Sequence, residues 1–212
     1  MPLDQFNSSG DAPAGAITPE LTLEFLSGAR VFAKAVRDVF EAAVLRDVAG
    51  EKLSFSQLKL LYLVSRTAEV TIGDAATFLG VSNSAASKTV EKLVRRRLLR
   101  RSDIQGDRRT SQLFLTEASR RLLENYEAER NEKAARIFSQ FSVSELKHTA
   151  EVLDRLAAGI VSQGPDGEGV CLQCEIYLRG DCRFGQLGHR TCFYKKHARK
   201  QDSSAGGDRP AG

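Results

Sequence analysis

Apolar residues recur every three to four positions over most of the chain, a spacing that predicts helices. The first predicted helix begins at Thr18-Pro19, where Thr suits the N-cap and Pro suits the first helical position, and its apolar stripe runs from Leu21 to about Val48. Ser54 is a suitable cap for a buried helix that continues to Val64. The pattern therefore indicates a mainly helical chain.

Two further helices are predicted toward the C-terminus, from Glu117 through Phe138 and from Ser144 to Val161. The apolar stripe of the first helix is too long and too apolar for a short packing helix alone, and the apolar residues of these two helices complete the same surface. We interpret them as a surface for a partner, the alternative being that they pack only within one chain.

The centre of the chain has a different pattern. Ala75, Ala76 and Leu79 give one helix a small apolar face, and Gly80 permits a sharp turn. Ser82 then suits the N-cap of a second helix, its hydroxyl accepting from the backbone N–H of Ser84 or Ala85. Apolar residues of this second helix recur at helical spacing, at Ala86, Val90, Leu93 and Val94. This is the layout of a helix-turn-helix.

Strand patterns flank this pair of helices. Strands are predicted near Leu98–Ser102 and Ser111–Leu115, with Gly106 in the turn between them, and Val70-Thr71-Ile72 is predicted as a first strand. The fold class is therefore mainly α (α+β): a winged helix-turn-helix with long terminal helices and a three-stranded antiparallel wing sheet.

Charge is concentrated at the same place. The chain has a net charge of +4, yet nine cations and three anions fall between Ser82 and Arg109. Such focusing favours a phosphate-binding surface, although a solvated helix end with arginines for solubility is the alternative reading. The second helix has short polar groups at its start and longer cations behind them, a pattern that suits a helix entering the major groove end-first. The predicted DNA contacts of this region are Ser82, Asn83, Ser84, Ser87, Lys88 and Lys92.

Asp107-Arg108-Arg109 followed by Leu115-Thr116 resembles the wing motif Asp-x-Arg-x5-Leu-Thr of the MarR family of bacterial transcription regulators. The run Leu-Gly-Val-Ser-Asn-Ser at 79–84 is similar to that family's turn into its recognition helix, and the likeness extends over about Leu21 to Val161. The resemblance implies that Arg109, with Arg108 beside it, reaches the minor groove, that Asp107 stabilises the wing, and that the chain is a repressor.

The same resemblance implies a homodimer on a pseudo-palindromic operator in double-stranded DNA. Independently, a two-fold DNA reader needs recognition helices roughly 34 Å apart, which a dimer provides. MarR-like proteins often bind small aromatic acids, and Phe32, Phe55 and Tyr62 are candidates for such an effector site or, more simply, core residues. The family usually has Gly at the position of Arg97 and often has Gly at that of Ser119, and Arg97 puts the left-handed helix stop in doubt.

All four cysteines follow the dimer helices, at Cys171, Cys174, Cys182 and Cys192. In a reducing compartment, such a cluster predicts a metal or iron–sulfur site rather than two disulfides. The irregular spacing favours a 4Fe–4S cluster over zinc, while a weak similarity to part of a CCCH zinc finger favours zinc; disulfides or free thiols are a third possibility. We expect this segment to sense redox state, nitric oxide or metal.

The sequence carries no enzyme signature, no apolar run long enough for a bilayer and no signal peptide, so we expect a cytoplasmic protein that is not an enzyme. An alternative class is a small metal or iron–sulfur protein that uses the cysteines for electron transfer, or for partner or RNA binding. The predicted organisation is a disordered leader (1–17), the winged-helix and dimerisation domain (18–161), a linker (162–170), the four-cysteine segment (171–200) and a disordered tail (201–212).

Overall fold

The computed structural model describes residues 17–67, 69–104, 107–163 and 177, and it describes the backbone alone at 51, 103–104, 107–110 and 163. All four cysteines, and nearly all of the predicted leader, linker and tail, lie outside the described residues. The elements follow one another as α1 (Pro19–Lys34), a π-helical segment (Ala35–Glu41), α2 (Ala42–Ala49), a 3₁₀ turn (Gly50–Lys52), α3 (Phe55–Arg66), α4 (Ile72–Leu79), α5 (Asn83–Arg95), β1 (Leu99–Ile104), β2 (Asp107–Leu115), α6 (Glu117–Phe138) and α7 (Val143–Gln163). The mainly helical prediction is confirmed.

The described chain forms two compact units. Residues 17–53 and 126–163 form the terminal-helix unit, and residues 54–125 form the wing unit. The winged helix-turn-helix lies wholly within the wing unit.

Helix α1 begins where the sequence predicts, because the Thr18 hydroxyl accepts from the backbone N–H of Leu21 at 3.2 Å. The π-helical segment that follows is not evident in the apolar pattern. It inserts extra residues into the turn and so changes which face points inward. None of the residues of α1 is buried, whereas Glu41, the last residue of the segment, and Val44 and Leu45 of α2 are buried.

Glu41 also affects a tyrosine of the same unit. Tyr126 is fully buried, and this burial raises the pKa of its phenol, with the negative charge of Glu41 raising the pKa further and Arg130 opposing both. The terminal-helix unit therefore buries a carboxylate and a phenol as well as aliphatic side chains. A surface ion pair joins Lys133 on α6 to Asp47 on α2, with the nitrogen and oxygen 2.9 Å apart.

In the wing unit, capping boxes start two helices. Ser54 and Gln57 exchange side-chain and backbone hydrogen bonds at the start of α3, and Thr71 and Asp74 do the same at the start of α4. Helix α3 then supplies the centre of the core with side chains that are at most 2% exposed: Leu58, Leu60, Leu61, Tyr62, Leu63 and Val64.

The wing sheet differs from the prediction. Among the described residues it has two antiparallel strands, with Leu99 opposite Leu115 and Arg101 opposite Leu113, rather than three. The expected first strand at Val70–Ile72 contributes a single backbone bond, from Leu113 N–H to the Val70 carbonyl at 2.8 Å. The capping box on Thr71 makes Ile72 the first residue of α4, so the segment is too short to form a ladder.

Candidate nucleic-acid interface

The turn between α4 and α5 is formed as the sequence predicts. Gly80 has a left-handed backbone, with φ of 65°, and the Val81 N–H donates to the Ala76 carbonyl at 3.1 Å. The Ser82 hydroxyl accepts from the Ala85 N–H at 3.3 Å, which confirms Ser82 as the N-cap of α5. The start of α5 is therefore fixed in direction relative to α4.

Helix α5 separates its two faces clearly. Ala86, Val90 and Leu93 are fully buried. Five of the six predicted contacts of this region are exposed, and Ser87 is half-buried, donating to Glu91 at 3.4 Å. The exposed predicted contacts are Ser82, Asn83, Ser84, Lys88 and Lys92. The buried face thus holds the helix while its polar face stays open to a ligand.

Arg95 belongs to the same exposed face, although the sequence prediction did not include it. It is exposed and follows Lys88 by seven residues and Lys92 by three, so the three cations share one stripe of the helix. The signal was available in the sequence, because residues at spacings of three, four and seven lie on one side of a helix.

Helix α5 ends in a left-handed turn despite the arginine. Arg97 has φ of 57°, its N–H donates to the Val94 carbonyl at 2.8 Å, and the Leu98 N–H donates to the Leu93 carbonyl at 2.9 Å. These two bonds are a complete Schellman motif with Arg in the position that usually holds Gly. The expectation that Arg97 disturbs this stop is wrong for the backbone, because bonds from outside the helix help to hold it.

One of those bonds comes from the end of the wing. The Thr116 hydroxyl donates to the Arg97 carbonyl at 2.7 Å and accepts from the Ser119 N–H at 3.3 Å. Ser119, where Gly is common in the family, is fully buried, and its hydroxyl donates to the Thr116 carbonyl at 2.8 Å. Thr116 therefore links the end of α5, the end of β2 and the first turn of α6.

The base of the wing displays a further cation. Arg100 lies opposite Phe114 across the two strands, and its guanidinium stands 4.4 Å from the centre of that ring. Such a cation–π contact holds the charge in place on the exposed face of the sheet. Asp107, Arg108 and Arg109 begin strand β2, where the wing motif predicts them, but their side chains lie outside the described part of the structure.

The aromatic candidates for an effector site have separate surroundings. Phe32 belongs to the terminal-helix unit and is half exposed. In the wing unit, the Lys59 ammonium lies 5.6 Å from the centre of the Phe55 ring, and the Arg66 guanidinium lies 4.5 Å from that of the buried Tyr62. A small aromatic effector stays a prediction.

The metal prediction also stays a prediction, since Cys171, Cys174, Cys182 and Cys192 are not among the described residues. Within the described ranges, no three His, Cys, Asp or Glu side chains are grouped so that they could hold a metal ion. None of the described helices has the length and apolar content that a bilayer-spanning helix needs.

Comparison with known proteins agrees with this geometry. A sequence model of the MarR family matches residues 52–110, which include α3, the helix-turn-helix and most of the wing. No curated protein matches the chain.

Three solved structures illustrate the likeness in fold. The chain is similar to RV1404 from Mycobacterium tuberculosis, at 22% identity and a TM-score of 0.56 over 65% of this chain and 93% of that one. A MarR family protein from Bacillus stearothermophilus is 18% identical, with a TM-score of 0.58 over 68% and 99% of the two chains. FabT from Streptococcus pneumoniae, solved in complex with DNA, is 18% identical, with a TM-score of 0.52 over 66% and 96%.

At these identities the solved structures show a likeness in fold alone, and the family model matches only residues 52–110. MarR-family proteins are transcription regulators rather than enzymes, in agreement with the sequence prediction. Residues 52–110 of this chain therefore resemble the MarR family in sequence.

Proposed function

We propose that this protein is a DNA-binding transcription regulator, most simply a repressor, that places α5 in the major groove and the β1–β2 wing in the minor groove of duplex DNA. The observation that carries the proposal is the exposed face of α5. It presents short polar side chains at the capped end, including Asn83 and Ser84, with Lys88 and Lys92 behind them. FabT, a protein of similar fold, was solved in complex with DNA, which supports a DNA-binding function for this fold.

The division of labour follows from the chemistry of the side chains. Serine and asparagine are short enough to bond base edges when the end of a helix enters the major groove. Lysines farther along the helix neutralise phosphates and supply affinity without sequence preference. Arg108 and Arg109, at the start of β2, are the proposed minor-groove contacts, as the wing motif implies.

Selection from a random duplex pool, followed by fluorescence anisotropy over a series of salt concentrations, tests the proposal. We expect an enriched pseudo-palindrome whose binding weakens steeply with salt. Lys88→Gln removes a proposed phosphate contact and should weaken binding to all duplexes alike, with a salt slope smaller by about 1 for each protomer. Arg109→Gln removes a proposed minor-groove contact and should weaken binding by roughly 1–3 kcal/mol. Lys147→Gln on the exposed surface of α7 serves as the control. No enrichment and no duplex binding in dilute buffer would contradict the proposal.

We also propose that the regulator is a homodimer formed through the terminal-helix unit. Supporting this, large apolar side chains of that unit are exposed on a single chain, both on α1 and on α6–α7. Apolar surface of this extent is usually covered in solution, and a second copy also provides two recognition helices for a two-fold operator. Light scattering should give twice the chain mass, and a monomer at micromolar concentration would contradict the proposal.

We further propose that Cys171, Cys174, Cys182 and Cys192 bind an iron–sulfur cluster or zinc and tune DNA binding. The support is the sequence: four potential thiolate ligands fall within 22 residues, two of them separated by the two-residue gap that suits a single ion. The absorption spectrum of anaerobically purified protein, with metal analysis, distinguishes a brown cluster from colourless zinc. Equal DNA affinity with and without the metal would contradict a sensing role.

A further inference from the structure

Arg97 is held in a conformation that arginine ordinarily avoids. Among the residues that the structure describes, it is the only one other than glycine with a positive φ. A side chain with a Cβ is strained in this region, and glycine would relieve the strain. Strained backbones that persist in a protein cluster at functional sites, so the arginine side chain is a candidate for a function that glycine cannot supply.

The backbone around Arg97 is fixed on both sides. The two bonds of the Schellman motif hold it from α5, and the Thr116 hydroxyl holds its carbonyl from the end of the wing. Leu98 and Leu99, the next two residues, are buried, whereas Arg97 itself is exposed. A guanidinium on a fixed backbone loses less conformational entropy when it binds a ligand than a guanidinium on a flexible loop does.

The surroundings of Arg97 favour an anion. Five arginines and no acidic residue lie between Leu93 and Ser102. Arg95 is exposed on the face of α5 that carries the lysines, and Arg100 is held over Phe114 on the exposed face of the wing. Arginine binds phosphate through two parallel hydrogen bonds, which makes a phosphodiester a suitable partner for this surface.

We propose that Arg97 contacts a backbone phosphate of the duplex. This would be a third DNA contact of the chain, located in the sequence between the recognition helix α5 and the wing arginines. The inference rests on the proposed DNA-binding function and deepens it. A phosphate contact carries no sequence information, so Arg97 would set affinity and register rather than operator choice.

The substitution Arg97→Gly tests this inference, because stability and affinity should change in opposite directions. Removing the strain should raise Tm by about 2–4 °C. With one phosphate per protomer no longer neutralised, the salt slope of log K should fall by about 0.9 for each protomer, or about 1.8 for the proposed dimer. Binding of the dimer in 0.15 M salt should weaken roughly 30-fold, about fivefold for each protomer. The weakening should be equal for the selected duplex and for a random one.

Two variants isolate the charge from the backbone. Arg97→Asn tolerates the left-handed conformation without the charge and should reproduce the weaker, less salt-dependent binding. Arg97→Lys should keep most of the salt slope, and Arg155→Gln on the exposed surface of α7 should match wild type in both salt slope and affinity. A glycine variant with wild-type affinity and salt slope overturns the inference, as does one that loses stability. If the wild-type protein does not bind duplex DNA, the proposed DNA-binding function is contradicted, and the inference about Arg97 is contradicted with it.

Discussion

The wing unit and the terminal-helix unit differ in the solvent exposure of their large apolar side chains. In the wing unit, leucines of α3, α5 and the strands are buried, and among its described residues at 54–125 only Val81 is an exposed large hydrophobic. In the terminal-helix unit, exposed large hydrophobics occur on each long helix, including Leu23, Phe32, Leu153 and Ile160.

This difference in exposure indicates that the two units have different roles. In the wing unit, α5 and the wing strands are held by the burial of their own apolar side chains. The terminal-helix unit leaves apolar surface in water, which is unfavourable unless another surface covers it. The difference supports the view that one unit reads DNA and the other brings two readers together.

The largest expected effect is on the core of the wing unit. Leu93→Ala removes a fully buried side chain from α5 and should lower the free energy of unfolding by about 2–5 kcal/mol, measured by urea denaturation. Ile160→Ala, at a residue 64% exposed on a single chain, should cost under about 1 kcal/mol at dilutions where the chain is monomeric. Similar losses at the two residues would contradict the contrast between the units.

A charge on the exposed apolar surface should affect assembly rather than folding. Leu23→Glu, at a residue 72% exposed on α1, should weaken the dimer by about 100-fold, since a buried carboxylate without a partner is strongly unfavourable. Sedimentation gives the dimer constant, and circular dichroism should match wild type. Lys147→Glu, on exposed α7 surface, is the charge control; equal dimer constants for both variants would exclude this part of α1 from the interface.

Thr116 provides a smaller effect within the wing unit. Thr116→Val removes the hydroxyl that caps α6 and bonds the Arg97 carbonyl, and it should cost about 1–2 kcal/mol of unfolding free energy in denaturant. Thr116→Ser retains the hydroxyl and should lose less. If serine and valine cost the same, the hydrogen bonds are not what Thr116 contributes.

The smallest effect concerns the terminal-helix unit and pH. The hydrogen bond from Lys133, with a smaller contribution from its charge, holds the pKa of Asp47 below its usual value. A lowered pKa stabilises the fold above the unfolded-state value of about 3.9, and this stabilisation is lost as pH falls through the folded-state pKa.

Asp47→Asn should therefore lower Tm slightly at neutral pH and leave it unchanged in acid, where wild-type Asp47 is protonated. Thermal melts from pH 2.5 to 7 measure this difference. In 1 M salt the difference should shrink, because the pair is exposed and screened. A Tm difference that persisted below pH 3 would show that the ion pair is not its cause.

The helix starts could be predicted because their signals are local. Thr18, Ser54 and Ser82 each cap a helix within three residues of themselves, so their roles do not depend on the rest of the fold. The buried face of α5 follows from helical spacing for the same reason. The predicted third strand is not confirmed among the described residues, because a second local signal, the pair Thr71 and Asp74, starts a helix where the apolar pattern predicts a strand.

The sequence by itself determined the helix-turn-helix, the hairpin that follows it and the exposed polar face of α5, because spacing and capping act over a few residues. Only the tertiary structure decided the conformation of Arg97 and the inward turn of Glu41. Arg97 depends on a hydroxyl 19 positions away, and Glu41 is the last residue of a π-helical segment that the apolar pattern does not reveal. Contacts between residues distant in sequence can hold strained or irregular backbone in place, and no local pattern records them.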